Sequence, residues 1–231
     1  MNFETWEPVY EAILASFGFD RAADERARDR FAEIVGDRDP ADLDGLAVED
    51  SSVAIAGGAA TLSDELDTVE NADTVFAAGA SVSRLQEASL DVDCVVTDLD
   101  SAPEQAVALA REGTPVVAHA HGDNIPGVEE YGPRLAEGAL VPTTQAAPAG
   151  PVRNFGGFTD GDRAAFLADY LGAADFVFPG WDFEDASVDP MKARKLGWAE
   201  RLLYWLEWRR GERFGVLDGR RDGIDTDALP L

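Results

Sequence analysis

The segment Asp93-Cys94-Val95-Val96-Thr97-Asp98-Leu99-Asp100-Ser101 is an apolar run that breaks off into two carboxylates spaced i, i+2. Such a run reads as a parallel strand delivering Asp98 and Asp100 at its carboxyl end, the edge of an open α/β sheet where ligands bind. Two carboxylates held this close repel each other unless a cation sits between them. Oxygen donors at such an edge suit Mg²⁺, commonly held by one or two carboxylates together with substrate phosphates. Asp is plentiful in this chain, so the pair alone equally describes a surface turn. Its weight comes from other segments that share its chemistry.

Ala77-Ala78-Gly79-Ala80-Ser81 places small residues where a strand gives way to a helix. Gly79, Ala80 and Ser81 would let the backbone approach a phosphate at a helix N-terminus, although tight strand–helix packing explains them equally well. His119-Ala120-His121-Gly122-Asp123-Asn124 follows another apolar run. Here Asp123 is expected to complete a metal shell and His121 to donate to a phosphate, with Asn124 beside them. Zinc is disfavoured, because the chain has two histidines and its sole cysteine, Cys94, lies within a strand. Gly156-Gly157-Phe158-Thr159-Asp160-Gly161-Asp162-Arg163 opens a further helix. Thr159 or Asp160 would cap it, but capping leaves the Gly-Gly pair, the second Asp and the Arg unexplained. Lys192 and Lys195 stand at i, i+3 and share a helix face. They are the only two lysines beside seventeen arginines, so their pairing calls for a specific explanation. Ammonium groups brought over an acidic metal site would form a triphosphate clamp.

The charge balance bounds the partners. There are 45 acidic residues against 19 basic ones, a formal net charge of −26, which disfavours nucleic acid, since binding it needs a cationic surface. With 45% hydrophobic residues in periodic runs, the chain is folded rather than an acidic disordered one. Scattered acids of this kind suit very high salt, where like-charge repulsion is screened, and the composition resembles that of cytosolic proteins of halophilic archaea. No apolar run is long enough for a membrane span, and Met1–Tyr10 lacks the pattern of a signal peptide. A cytoplasmic protein is expected.

The elements that must position these residues follow from periodicity. Residues 1–50 read as an N-terminal helical segment followed by a linker. Trp6, Val9, Tyr10, Ile13, Leu14 and Phe17 form a helical stripe, and Asp20 caps a second helix. The stripe must be buried, so this segment is expected to be a small lobe, a lid or a homo-oligomer interface. Residues 51–210 alternate short apolar strands with helices, and a long helix from Pro190 to Arg209 closes the region. The expectation is an α/β fold with a doubly wound, mostly parallel sheet. Residues 211–231 read as a loosely packed C-terminal tail.

With these residues in place, the chain resembles the archaeal 6-hydroxymethyl-7,8-dihydropterin pyrophosphokinases, which are themselves similar to the catalytic domain of thiamine pyrophosphokinase. The run from Phe76 to Ser101 carries the likeness, with V-T-D-L-D-S where the thiamine enzymes have G-D-F-D-S, and HAHGDN, GFTDGDRA and KARKL stand where the archaeal family has its other motifs. The likeness spans roughly residues 50 to 210. One departure is Ala78, where relatives commonly carry an Asp. The resemblance implies transfer of the terminal diphosphate of ATP to the hydroxymethyl group of the reduced pterin, with release of AMP, on the way to folate or tetrahydromethanopterin. It implies Mg²⁺ held by Asp98, Asp100 and Asp123. Asp160, Asp162 or Arg163 would then orient the acceptor or the triphosphate. Lys192 and Lys195 would stabilise phosphoryl charge, and Gly79, Ala80, Ser81, Ser101, His121, Asn124 and Thr159 would contact nucleotide. Three alternatives are a thiamine or other acceptor, a phosphohydrolase with a nucleophilic Asp in its DxD, and a non-catalytic nucleotide-binding protein.

Overall fold

The computed structural model describes residues 1–43, 45, 46 and 48–231. Six strands, β1 (Ser52–Ala56), β2 (Thr74–Ala78), β3 (Cys94–Thr97), β4 (Val116–Ala120), β5 (Leu140–Thr144) and β6 (Asp175–Val177), form one sheet. Their order is β5-β4-β3-β2-β1-β6, and every pairing is parallel. The chain marches outward from β1 to β5, then returns to dock β6 on the other side of β1. The order therefore reverses between β1 and β6, the kind of crevice where α/β proteins bind ligands.

Among the described residues, eight α-helices surround the sheet: α1 (Phe3–Phe17), α2 (Arg21–Val35), α3 (Leu66–Glu70), α4 (Ser81–Glu87), α5 (Pro103–Glu112), α6 (Ile125–Leu135), α7 (Asp160–Tyr170) and α8 (Pro190–Arg210). Side chains alternate across each strand. Val53, Ile55, Phe76, Cys94, Val96, Val117 and Val141 pack with α1, α7 and α8 around Trp6, Phe166 and Trp205. Ala56, Val75, Ala77, Val95, Val116, Ala118 and Leu140 pack with α2, α4, α5 and α6 around Phe31, Leu85, Val107 and Val128. Helices on both faces explain why the strands read as continuous apolar runs. No described helix is long and apolar enough to cross a membrane.

Three segments are more ordered than their sequence suggests. The Gly- and Pro-punctuated stretch after Asn124 is the helix α6. Pro126 falls in its first turn, where no N–H is needed, and Gly132 lets the helix close on Phe31 and Ile34 of α2. Residues 211–231 do not pack loosely. They bury Phe214, Leu217 and Leu229, and Arg221 Nη2 pairs with the buried Glu207 at 2.6 Å. Between α2 and β1, Asp44 and Ala47 lie outside the described residues, while Leu43 and Val48 are buried and Ala41 N–H donates to Leu140 O on β5 at 2.7 Å.

Candidate active site

The DxD segment leaves β3 through a sharp turn. Leu99 has φ 69 and is buried, its N–H donates to Thr97 Oγ1 at 2.9 Å, and Asp100 N–H donates to Asp98 Oδ1 at 3.2 Å. Burying Leu99 directs both flanking carboxylates off the sheet edge. A third carboxylate joins them from the opposite direction, since Asp160 opens α7, the helix that crosses back over the sheet. Oxygen atoms of Asp98, Asp100 and Asp160 all lie within 4.8 Å of one another.

Gly79 at the end of β2 makes this approach feasible. Its φ is +52, and a Cβ there would stand 2.7 Å from Asp160 Oδ2. Arg163, one turn further along α7, donates through Nη1 to Asp160 Oδ1 at 3.0 Å. The Gly-Gly before α7 has the same logic. Gly157 has φ +91, and a Cβ would stand 2.6 Å from Arg163 Cα.

The three carboxylates act on one another electrostatically. Burial and the Asp98 charge push the Asp100 carboxyl up. Asp160 is driven well above the usual carboxylate range by burial and then by Asp98, with Arg163 opposing. Asp98 goes the other way. Burial would raise it, but bonding to His121 and Asp100 and the charge of Arg163 outweigh burial and hold it far below the ordinary range.

Asp123 is the clearest departure from the expected ligand set. It lines the cavity but is exposed and stands outside the three-carboxylate cluster. Asn124 accounts for this. Its Nδ2 donates to Asp98 O and His119 O, both at 2.7 Å, and its Oδ1 accepts from His121 N–H at 2.9 Å. The loop is thereby stapled to the β3 end with His121, not Asp123, turned toward Asp98, its Nε2 3.5 Å from Asp98 Oδ2. Asp162 also departs from its expected role. It accepts from Phe158 N–H, from Thr159 N–H at 3.0 Å and from Thr159 Oγ1 at 2.6 Å. This fully buried carboxylate closes the start of α7 and does not line the cavity. Neither Ser81, buried at the start of α4, nor Asn124 lines it.

The cavity has a volume of about 650 Å³, within the range of roughly 300–1,000 Å³ typical of small-molecule sites. Gly79, Ala80, Ser101, His121, Thr159, Asp160 and Arg163 line it, and α8 supplies Lys192 and Lys195. Asp189 caps α8, accepting from Met191 and Lys192 N–H at 2.8 and 3.0 Å. Among the described residues, neither lysine makes an ion pair within 4.0 Å, though the Lys192 charge is felt by Asp100 and Asp160.

Two walls were not legible as part of the site. Trp181, after β6, donates its Nε1–H to Ile55 O at 2.8 Å and lies against Gly57 and Gly161, where any Cβ would clash with its ring. From the N-terminal helices come Phe19 and Asp24. Asp24 is buried and accepts from Gly122 N–H at 2.8 Å, Tyr10 Oη at 2.8 Å and Gln145 Nε2 at 2.7 Å, tying α1 and α2 to the β4 and β5 ends. Tyr10 was visible in sequence as part of the α1 stripe, but nothing local pairs it with Asp24, or Asp24 with Gly122 and Gln145.

Comparison with known proteins identifies a family and named relatives. A family model described as 6-hydroxymethylpterin diphosphokinase MptE-like matches residues 27–187. Three curated relatives carry the name 6-hydroxymethyl-7,8-dihydropterin pyrophosphokinase. The protein of Methanothermobacter thermautotrophicus is 37% identical over 229 residues, covering 92% of this chain and 97% of the relative. That of Pyrococcus furiosus is 34% identical over 226 residues, covering 90% and 95%. That of Methanocaldococcus jannaschii is 29% identical over 232 residues, covering 90% and 96%.

Proposed function

The chain belongs to the MptE-like family of 6-hydroxymethylpterin diphosphokinases, and on that premise we propose that it transfers the terminal diphosphate of ATP to 6-hydroxymethyl-7,8-dihydropterin. The acceptor hydroxyl oxygen forms a bond to the β-phosphorus, the bond from that phosphorus to the α,β-bridging oxygen breaks, and AMP departs. The hydroxyl proton leaves to a carboxylate lining the cavity. Alignment and charge stabilisation carry such a transfer, with little covalent chemistry from the protein.

The observation that carries this reading is the facing of three clustered carboxylates by two unpaired lysines across one cavity. The donor set fits a hard divalent cation. It is all carboxylate oxygen, and mutual repulsion and burial raise two of its members, Asp100 and Asp160. Mg²⁺ held by Asp98, Asp100 and Asp160 would supply charge neutralisation on the phosphates. Lys192 and Lys195 bind and neutralise phosphate oxygens beyond its reach. Gly57, Gly58 and Gly79 allow the backbone close to the nucleotide.

Charge also separates the two substrates within the cavity. Its lysines are both on α8, so the triphosphate lies toward that helix and the glycine turns. The uncharged, flat acceptor lies toward Phe19 and Phe158, both of which pack on Phe17 with ring centroids 5.1 and 5.2 Å away. A nucleophilic role for Asp98, as a phosphohydrolase would need, is disfavoured by its bonds to His121 and to the Asp100 N–H.

The test is an AMP-release assay with ATP and Mg²⁺ in multimolar KCl, with and without 6-hydroxymethyl-7,8-dihydropterin. Pterin-dependent AMP is expected. ADP or inorganic phosphate as the product, or AMP formation indifferent to the pterin, would refute the assignment.

A further inference from the structure

Arg163 lines a second, much smaller cavity in company with His119, Thr143 and Thr144. Its volume is about 10 Å³, close to the roughly 10–15 Å³ that one water requires. Both Arg163 and His119 are buried, and each has a ring or guanidinium nitrogen with no hydrogen-bond partner among the described residues: Nε of Arg163 and Nε2 of His119.

The two orphans are chemically complementary. Thr143 Oγ1 donates its hydroxyl hydrogen to Ala118 O at 3.0 Å. Having no second hydrogen, it must act as acceptor toward His119 Nδ1, which lies 3.0 Å away. That fixes the proton of a neutral imidazole on Nδ1 and leaves Nε2 as a bare acceptor. Arg163 Nε–H is only a donor. A buried donor and a buried acceptor therefore border one water-sized space. Leaving either unmet carries the desolvation penalty of a buried, unpaired polar group.

We propose that a single ordered water occupies this space, accepting from Arg163 Nε–H and donating to His119 Nε2, and that His119 is thereby a positioning residue for Arg163. The consequence lies on the other side of the guanidinium. Nη1 holds Asp160 at 3.0 Å, while Nη2 reaches Gln145 Oε1 only at 3.4 Å. With Nε held from behind, the plane of the guanidinium is set, and with it the orientation of Asp160 toward Asp98 and Asp100. The imidazole stays neutral in this role, because burial and the neighbouring Arg163 charge both disfavour protonation. This catalytic consequence rests on the diphosphate-transfer reading, whereas the water bridge itself does not.

The test therefore has two parts. In the ligand-free protein, ¹⁵N NMR should show His119 as the Nδ1–H tautomer and a slowly exchanging Arg163 Nε–H resonance, assigned by its loss in R163K. That resonance should shift or broaden away in H119F. An Nε2–H tautomer, or an Arg163 Nε–H signal unchanged in H119F, overturns the proposal whatever the enzyme does. In the AMP-release assay, H119F should lower kcat at least about 10-fold with a smaller change in KM for ATP, as expected of a misplaced transition-state contact. H119Q, whose terminal amide reaches where Nε2 lies, should restore kcat to within about 3-fold of the parent. Equal losses in H119F and H119Q that track their melting temperatures would mean a packing role only. Loss of pterin-dependent AMP formation in the parent protein itself would remove the functional reading and leave the NMR result to stand or fall separately.

Discussion

Gly79→Ala is the sharpest perturbation of the carboxylate cluster that leaves every one of its charges in place. Gly79 has φ +52, where a residue with a Cβ is destabilised by about 1–2 kcal/mol. The added methyl would also stand 2.7 Å from Asp160 Oδ2, so the carboxylate must retreat to an ordinary contact distance of 3.4 Å, a shift of about 0.7 Å. Asp160 cannot retreat freely, because Arg163 holds its other oxygen at 3.0 Å. Productive sites tolerate about 0.5 Å of displacement, and 1 Å of misplacement costs about 10²-fold in rate. The expected result is a kcat reduced about 10- to 100-fold and a melting temperature lowered by about 2–8 °C, at 2–4 °C per kcal/mol for a chain of this size. Gly211→Ala separates the two effects. Gly211 has φ +67 but nothing within 4 Å of a built Cβ, so this variant shares the backbone strain without the clash. It should show a comparable fall in melting temperature with kcat unchanged. The assay is AMP release alongside thermal unfolding of both variants. The reasoning fails if G79A keeps kcat within about 3-fold of the parent, or if G211A loses as much activity as G79A.

Two further outcomes follow from the arrangement of charges. Mg²⁺ at about 100 times its dissociation constant should stabilise the parent by about 2.7 kcal/mol; D98N and D160N should abolish that thermal shift and D123N should retain it. Retention in D160N with loss in D123N would restore Asp123 as the third ligand. K192M and K195M should each lower kcat/KM for ATP about 10-fold, the worth of one charge-assisted contact, with KM for the pterin nearly unchanged. A double variant with parental kcat/KM for ATP would show that α8 does not meet the phosphates.

Local sequence determined a good deal of this protein. Short continuous apolar runs alternating with helical stretches located the strands and implied a parallel sheet covered on both faces. The break from Val96 into Asp98 and Asp100 located the sheet edge that carries the carboxylates, and the pairing of two rare lysines on one helix face marked α8 as a cationic wall. The DxD turn, the cap at Asp20 and the long α8 were legible for the same reason: each depends on residues within a few positions of one another.

What only the tertiary structure decided is which distant residues meet. Asp123 and Asp160 were indistinguishable by type, and both follow strand ends or their loops. Asp160 joins the cluster because α7 returns across the sheet and Gly79 admits it, whereas Asn124 pins the HAHGDN loop with Asp123 exposed and outside the three-carboxylate cluster. Asp162, two residues from Asp160, is consumed by the amides and hydroxyl that start α7. Asp24 reaches Gln145 across 121 positions, and Trp181 reaches Ile55 across 126. Such partnerships leave no periodic trace in sequence. They are set by the crossing of helices over an open sheet, where burial forces each polar group to find whichever partner the fold brings within reach.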